Sequence, residues 1–205
     1  MIIPFGTIPI YSGQVKNHEK HYELLEPYVT DDSFWHKTQE WMSLTQSTMG
    51  QENNINLPWD TILGDIEEHV NEYLQIFHPT NRYAIQTRPW LNRYEKGGWQ
   101  EQHNHTGPAS HFSMAYIIKG RDQSNFVFSD TVGNWYDSSW ELPAVFSNWP
   151  HRNFTPEQPD GTVLIFPSAL DHFVMPNQSD EYRITASANY FIVPAEEENN
   201  EMARR

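Results

Sequence analysis

The stretch Pro156-Glu-Gln-Pro-Asp-Gly-Thr-Val-Leu-Ile-Phe-Pro167 carries the clearest structural signal in this chain. Its first half has the proline, aspartate and glycine residues of a turn, and its second half is a short apolar run. A run of that length between turn residues is typical of a buried β-strand. The same alternation of β segment and turn recurs from Arg82 onward. The strand candidates are Tyr83–Tyr94, Trp99–His105, His111–Ile118, Asn125–Ser129, Val163–Phe166 and Arg183–Ile192.

The first third of the chain is predicted to be helical and the remainder to be a β core. Strands at regular short intervals favour a sandwich or barrel over βαβ units. Upstream, the apolar residues of the third helix candidate recur at spacings of three and four and predict a helix that covers one face of a sheet. The helix candidates are His18–Tyr28, a second from Asp32 or Ser33 through Trp35, Trp41 and Leu44, and a third containing Ile62, Ile66, Val70, Tyr73, Leu74 and Phe77.

Length predicts one domain, since 205 residues suffice for one sizeable core. We expect that domain to span 1–195, with helical support over about 16–80 and the β core over about 82–193. The charged segment 196–205 is predicted to be a disordered tail, and the apolar Met1–Ile10 a first strand or its lead-in.

Composition excludes several classes of function. The formal net charge of −14 disfavours a nucleic-acid partner, because such binding depends on a basic surface. The chain has no cysteine, which excludes disulfides, thiolate zinc sites, iron–sulfur clusters and a cysteine nucleophile. No apolar run is long enough to span a membrane, and the apolar stretch Met1–Ile10 lacks the positively charged region and the small-residue cleavage site of a secretory signal peptide. These features predict a cytoplasmic protein that binds no membrane.

Two histidines in one strand candidate form the most specific chemical motif. In Gln102-His103-Asn104-His105 the imidazoles stand at i and i+2, so a strand projects both from the same face. His172, just beyond the apolar run, is the best candidate for a third ligand. Three neutral imidazoles suit Fe(II), Zn(II), Cu(II) or Ni(II). An isolated His-x-His pair is more often a surface coincidence, but the β context and the distant His172 favour a metal site.

An arginine follows eleven residues after His172. In Arg183-Ile184-Thr185 the guanidinium and the hydroxyl share one face of a strand and could hold a carboxylate by charge-assisted hydrogen bonds. Alone, Arg183 would be an ordinary edge-strand charge. Its distance from a ligand-like histidine favours the functional interpretation.

The order and spacing of these motifs resemble the Fe(II)- and 2-oxoglutarate-dependent oxygenases, in particular short single-domain members from phages and bacteria. The resemblance covers about residues 83–192. It implies a double-stranded β-helix, a jelly roll with helices packed on one sheet. The matching residues are Trp90-Leu-Asn92, Gly98, His103-Asn-His105, Ser113-Met-Ala-Tyr116, Gly161-Thr-Val-Leu-Ile-Phe-Pro167, His172, Pro176-Asn177 and Arg183-Ile-Thr-Ala-Ser-Ala-Asn189.

The resemblance also implies roles for individual residues. His103 resembles the first metal ligand, His172 the distal ligand, and Arg183, helped by Thr185, the partner of the remote carboxylate of 2-oxoglutarate. The family at large has His-x-Asp, whereas position 105 is histidine, as in a close subgroup. If His105 binds iron, no carboxylate offsets the +2 charge of the metal.

Other positions are predicted contributors to the cofactor pocket. Tyr94 shares its strand face with Asn92, whereas Ser113 and Tyr116 have opposite parity, so only one of them can face the metal. Beyond the metal ligands we expect no separate catalytic residue. The remaining candidates are His111 as a pocket or surface residue, Asp171 as a hydrogen-bond partner of His172, and Asp130 or Asp137 as a carboxylate ligand from a loop.

The leading functional prediction is an oxygenase that uses Fe(II), 2-oxoglutarate and dioxygen, and couples oxidative decarboxylation of 2-oxoglutarate to hydroxylation of a small-molecule or peptidyl substrate. In a phage-encoded member this would take place in the host cytoplasm.

Two alternatives remain open. One is a cupin-type dioxygenase or isomerase with three histidine ligands and no 2-oxoglutarate, for which Arg183 would be dispensable. Gly97 and the turn Pro159-Asp-Gly161 are similar to cupin motifs, although no glutamate follows His105 at the expected spacing. The other is a non-catalytic jelly-roll protein that binds a sugar or a partner through the aromatic cluster Trp135, Tyr136, Trp140 and Trp149.

Overall fold

The computed structural model describes residues 8–37, 42–80, 83–107, 110–120, 126–129 and 153–194. These residues form two α-helices, ten β-strands and two short 3₁₀ turns, Asp32–Phe34 and Glu52–Asn56. The helices are α1 (His18–Val29) and α2 (Trp59–Gln75). The strands are β1 (Tyr11–Gln14), β2 (Gln46–Ser47), β3 (Tyr83–Tyr94), β4 (Gln100–His103), β5 (Phe112–Lys119), β6 (Phe126–Ser129), β7 (Asn153–Phe154), β8 (Thr162–Pro167), β9 (His172–Val174) and β10 (Arg183–Pro194).

The strands form two sheets. The larger sheet has the order β1-β8-β5-β10-β3-β2, the smaller one β4-β9-β6-β7, and every pairing is antiparallel. The long strand β10 lies between β3 and β5, with Asn189 opposite Arg88 on one side and Ser113 on the other. This arrangement of two antiparallel sheets agrees with the predicted double-stranded β-helix.

The helices cover the outer face of the larger sheet. Buried Ile62, Ile66 and Val70 form the apolar stripe of α2, as their spacing predicts, and pack with residues such as Met114 and Ile165 of β5 and β8. Each buried isoleucine of this stripe contributes roughly 2–3 kcal/mol through removal of apolar surface from water.

A second, smaller core lies between the two sheets. It joins Tyr94, Leu164 and Phe166 of the larger sheet to Phe126 and Val174 of the smaller one. Because strand residues alternate faces, β3, β5 and β8 each supply one set of side chains to the helix-side core and another to this inner core. The inner core holds the site described below.

The predicted second helix is wrong. Among the described residues of this segment, 32–37 and 42–44, the helical structure is the 3₁₀ turn Asp32–Phe34, in which the Asp31 carboxylate accepts a hydrogen bond from the backbone N–H of Ser33. Trp35 then anchors the chain by donating its indole N–H to the carbonyl of Tyr28, 2.9 Å away. Tertiary contacts therefore override the helical pattern in this segment.

The remaining differences concern short strands. β2, β7 and β9 have two or three residues, too few for a periodic pattern, and were not predicted, while β1 begins directly after the stretch Met1–Ile10, which was predicted to be a first strand or its lead-in. His172 accordingly opens a strand, not a loop. Residues 1–7, the aromatic cluster of 135–149 and the tail 196–205 lie outside the described residues. In the described part of the chain, neither helix combines the length and apolarity needed to cross a membrane.

Candidate metal centre

Three imidazoles converge between the two sheets. His103 ends β4 and is paired across the sheet with His172 of β9, while His105 follows two residues later. One ligand nitrogen of each ring lies within 4.8 Å of the others. The ring centroids are 4.3 Å apart for His103 and His172, 4.9 Å for His105 and His172, and 5.3 Å for His103 and His105. This is the one such group of potential ligands among the described residues.

Hydrogen bonds to the Nδ1 atoms orient all three rings. His103 Nδ1 lies 2.7 Å from the carbonyl oxygen of Glu101, and His172 Nδ1 lies 2.9 Å from that of Leu170. His105 Nδ1 lies 2.7 Å from Asn189 Oδ1. A carbonyl oxygen can only accept, so each Nδ1 must carry the proton. Each Nε2 therefore keeps its lone pair, as a metal ligand requires.

Burial keeps these imidazoles neutral. Desolvation lowers the pKa of His103, and lowers the pKa of His172 well below its usual value. It also lowers the pKa of His105 to about 4, with a smaller contribution from the neighbouring His103. Since a metal competes with protons for imidazole nitrogen, neutral rings at pH 7 are ready to bind.

Aromatic side chains form the walls around the triad. The ring of Phe126 stacks on His172 at 5.0 Å, Phe166 meets the same imidazole edge-on at 5.0 Å, and Trp90 lies 5.6 Å from His105. An apolar wall around a metal site limits the access of water and lowers the local dielectric.

Arg183 is buried, and no acidic side chain of the described residues forms an ion pair with it. Its side chain is 1% exposed, and among the described residues its Nε and Nη1 atoms have no hydrogen-bond partner. Its Nη2 donates a long bond, 3.5 Å, to Gln158 Oε1, and desolvation lowers the pKa of the guanidinium to about 10. Buried N–H groups are normally satisfied, so this cation is suited to an anionic ligand such as a carboxylate.

Polar side chains lie between Arg183 and the triad. The ring of Tyr94 lies 5.9 Å from the guanidinium carbon, and its hydroxyl donates to Gln100 Oε1 at 2.9 Å. Thr185 lines the same pocket, where the Asn92 amide contacts its hydroxyl at 3.4 Å. The structure thus brings the predicted residues Tyr94 and Thr185 into the pocket of the triad.

Ser113 and Tyr116 project from opposite faces of β5, as their opposite parity requires. Ser113 faces inward, 3.0 Å from His105 Nδ1. Tyr116 faces the helices, and its hydroxyl lies 2.9 Å from Nδ1 of the buried His21 in the helix-side core. This corrects the predicted pocket role of Tyr116, because successive strand residues project from opposite faces.

The structure contradicts the predicted role of Asp171 and places His111 away from the triad. Asp171 does not receive the N–H of His172. Its carboxylate accepts hydrogen bonds from Gln102 and Asn104 on the adjacent strand and loop. His111 lies apart from the triad, where it accepts a hydrogen bond from the backbone N–H of Ile192. Asp130 and Asp137 lie outside the described residues.

Sequence reasoning did not assign a role to Asn189 or Gln100. Asn189 lies in the quoted motif and shares the face of Arg183, Thr185 and Ser187 by i, i+2 alternation, which is the signal that could have identified it. Gln100 begins β4, and its amide Nε2 lies 3.4 Å from His103 Nε2.

The donor set fits a divalent metal with a dicarboxylate ligand. Three unprotonated Nε2 atoms converge on one centre, and the same layer between the sheets holds a buried guanidinium whose Nε and Nη1 have no hydrogen-bond partner in the part of the chain that the structure describes. These are the two elements that a chelated diacid needs, one at each end.

Comparisons with known proteins agree with this geometry. The family model described as "Putative 2OG-Fe(II) oxygenase" matches residues 88–189, about half of the chain and including all three histidines and Arg183. Comparison of the sequence with curated proteins finds no match.

Solved structures show the fold. A prolyl-4-hydroxylase from Pseudomonas putida superposes with a TM-score of 0.59 at 10% identity, covering 90% of this chain and 93% of that one. A prolyl hydroxylase from Trichoplax adhaerens, in complex with a hypoxia inducible factor peptide fragment, gives 0.59 at 10% identity over 89% and 83%. The non-heme alpha ketoglutarate dependent epimerase SnoN of nogalamycin biosynthesis gives 0.58 at 13% identity over 89% and 77%.

Proposed function

Because this chain belongs to the family of 2-oxoglutarate- and Fe(II)-dependent oxygenases, we propose that it is an oxygenase that binds Fe(II) through His103, His105 and His172 and 2-oxoglutarate through Arg183. The observation that carries the proposal is the convergence of three neutral imidazoles on one centre, together with a buried guanidinium whose Nε and Nη1 find no hydrogen-bond partner among the described residues.

When bound, iron, 2-oxoglutarate and dioxygen supply the oxidising chemistry, in which decarboxylation of the 2-oxo acid is coupled to oxidation of the substrate. The residues of this chain bind and orient. Arg183 pairs with the remote carboxylate, Thr185 offers a hydroxyl beside it, and the Tyr94 ring covers the guanidinium. Phe126 and Phe166 keep water from the imidazoles.

The three-histidine set gives the site an unusual charge. A carboxylate ligand would remove one unit of the +2 charge of the metal, whereas three neutral imidazoles remove none. The chelating end of 2-oxoglutarate would bring one carboxylate charge to the metal and offset one of its two positive charges, while Arg183 would pair with the carboxylate at the other end.

Hydroxylation is the outcome we propose for the substrate. Its support is that the prolyl hydroxylases from Pseudomonas putida and Trichoplax adhaerens share this fold. The epimerase SnoN shares it as well, so the product must be identified directly. We propose a small-molecule or peptidyl substrate, because the net charge of −14 opposes binding to nucleic acid.

Anaerobic titration tests the proposal. We expect Fe(II) followed by 2-oxoglutarate to produce the weak visible charge-transfer band of a chelated complex, and oxygen to yield succinate. Arg183→Met retains most of the side-chain volume and should abolish the 2-oxoglutarate response while leaving metal affinity unchanged. Lys96→Met is the matched control, since Lys96 forms only an exposed ion pair with Asp180.

The second candidate is a three-histidine dioxygenase without 2-oxoglutarate, which the imidazole at position 105 favours. The same experiment separates the two, because Arg183→Met would leave such an enzyme active. Absence of any iron affinity in the unmodified protein would contradict both and favour a binding protein.

A further inference from the structure

His105 differs from the other two histidines in what holds its Nδ1 proton. His103 and His172 each donate to the backbone carbonyl two residues earlier in their own strand or loop. His105 donates to a side chain 84 residues away, the amide oxygen of Asn189 at 2.7 Å. The third imidazole is therefore oriented by the long strand β10, whereas the other two are oriented locally.

A row of hydroxyl groups fixes the orientation of that amide. Ser113 Oγ donates to Asn189 Oδ1 at 2.9 Å, and Ser168 Oγ lies 2.8 Å from Ser113 Oγ. Ser110 Oγ in turn lies 2.6 Å from Ser168 Oγ. A hydroxyl has one proton, so donation from Ser113 to Asn189 leaves the Ser113 lone pairs for the proton of Ser168. The row therefore directs its protons toward the Asn189 oxygen.

The backbone register places these groups together. Asn189 lies directly opposite Ser113 in the pairing of β10 with β5. Both side chains point toward the inner layer, on the face that β10 shares with Thr185 and Ser187. The backbone N–H of His105 also donates to the carbonyl of Ser168, 2.8 Å away, which ties the histidine backbone to the same row.

We propose that Asn189 is the positioning residue that makes position 105 a neutral imidazole ligand. Its oxygen, held by Ser113, keeps the proton on His105 Nδ1 and the lone pair on Nε2, directed toward the other two histidines. An aspartate at 189 would also accept this proton but would add a negative charge. The amide orients the ring while the donor set stays uncharged. This inference rests on the proposed metal function of the triad.

The test compares Asn189→Leu with the unmodified protein in two independent measurements. In the metal-free protein, ¹⁵N NMR of the imidazoles should show His105 as the Nδ1–H tautomer, and Asn189→Leu should give a mixture of both tautomers. In Co(II) titrations followed by visible absorption, Asn189→Leu should lose about 10- to 100-fold in affinity, as is typical for loss of such a partner.

Two further variants show whether the acceptor itself matters. Asn189→Asp preserves an acceptor and should retain Co(II) affinity within about tenfold of the unmodified protein, with His105 still the Nδ1–H tautomer. Ser113→Ala leaves Asn189 in place and should lose about three- to tenfold in affinity. Circular dichroism shows whether Asn189→Leu folds. If it does not, the Ser113→Ala variant still tests the proposal.

Asn54→Leu is the matched control. Asn54 is a half-buried amide that bonds Thr48 and the carbonyl of Pro89 and contacts no candidate ligand. It should lower thermal stability while leaving Co(II) affinity unchanged. Loss of affinity in this control equal to that of Asn189→Leu would assign the effect to stability and overturn the inference.

Failure of the inference is distinguishable from failure of the proposed function. If the unmodified protein binds Co(II) and Asn189→Leu binds it equally well with a single His105 tautomer, the role of Asn189 is wrong and the metal site stands. Equal losses in Asn189→Asp and Asn189→Leu would also contradict the acceptor role. If the unmodified protein binds no metal, the proposed function fails first.

Discussion

The atoms around the imidazole of His105 suit a neutral ring. The partner of Nδ1 is an amide oxygen, an acceptor that matches an N–H and would repel a carboxylate oxygen. The apolar neighbours Trp90 and, across the triad, Phe126 favour the uncharged form. The residue and its environment are therefore consistent with each other.

The buried imidazole makes stability depend on pH. A histidine in the unfolded chain has a pKa near 6.5, whereas burial lowers that of His105 to about 4. Between these values the unfolded state binds more protons, so the contribution is complete above about pH 6.5 and falls as the pH drops toward 4. Between pH 7 and 4.5, the free energy of unfolding of the metal-free protein should fall by about 2 kcal/mol more than in His105→Gln.

Urea unfolding at a series of pH values measures this difference. Parallel pH profiles for the two proteins would show that His105 is not held neutral by the fold. Desolvation lowers the pKa of His172 well below its usual value in both proteins, so the contribution of His172 to the pH dependence is common to the two profiles.

Removal of a ligand gives a second prediction at this scale. His172 is the most buried of the three, at 2% exposed, and it contacts both other rings. His172→Gln should lower Co(II) affinity by more than 100-fold, because two ligands remain where three are needed. Isothermal titration of the metal-free proteins measures the loss. Affinity that stays within tenfold would exclude His172 as a ligand.

Among the elements, β3 illustrates how one strand serves two layers. Asn92 and Tyr94 face the site, while Arg93 between them projects from the opposite face of the sheet, where it is almost fully buried. The Arg93 guanidinium donates to the carbonyl of Val29 at 2.5 Å and to Asp32 at 2.7 Å, and it lies 4.8 Å from the ring of Trp35. This side chain ties the end of α1 and the following turn to the sheet.

Loss of the Arg93 contacts should lower the stability of the fold and leave the metal site unchanged. Arg93→Met leaves the buried Val29 carbonyl without its donor and removes the contact with Trp35. We expect the free energy of unfolding to fall by about 2–4 kcal/mol. Metal affinity should not change. Chemical denaturation and Co(II) titration measure the two effects, and a tenfold loss of affinity would show that the outer layer is coupled to the site.

The elements also show what sequence could and could not predict. The periodic segments were predicted closely: α2, and the strands β3, β5 and β10, all long enough to carry a pattern. The i, i+2 rule brought His103 and His105 together, but it could not show that His172 pairs with His103 across β4 and β9, because a three-residue strand has no periodic signature. The role of Asn189 depends on the register of β10 against β5, which only tertiary structure fixes.

For the whole molecule, metal binding is linked to folding. A metal that binds the native state and not the unfolded chain stabilises the fold by about 2.7 kcal/mol at a concentration 100 times Kd. For a chain of 205 residues this corresponds to a rise of about 5–10 °C in Tm. Differential scanning calorimetry with and without Co(II) measures the shift, and Arg183→Met should show the same rise. No shift at saturating metal would contradict a site built by the folded chain.

His103 and His172 each donate to a nearby backbone carbonyl, whereas His105 donates to the distant Asn189, and this difference affects the order in which the metal centre forms. The rings of His103 and His172 are oriented by neighbouring peptide groups once β4 and β9 pair. The ring of His105 requires β10, because its partner Asn189 lies 84 residues further along the chain. Closing so long a segment is entropically slow compared with local turns. A chain truncated before Asn189 would retain the backbone acceptors of His103 and His172 but would lack the side-chain acceptor of the His105 Nδ1 proton.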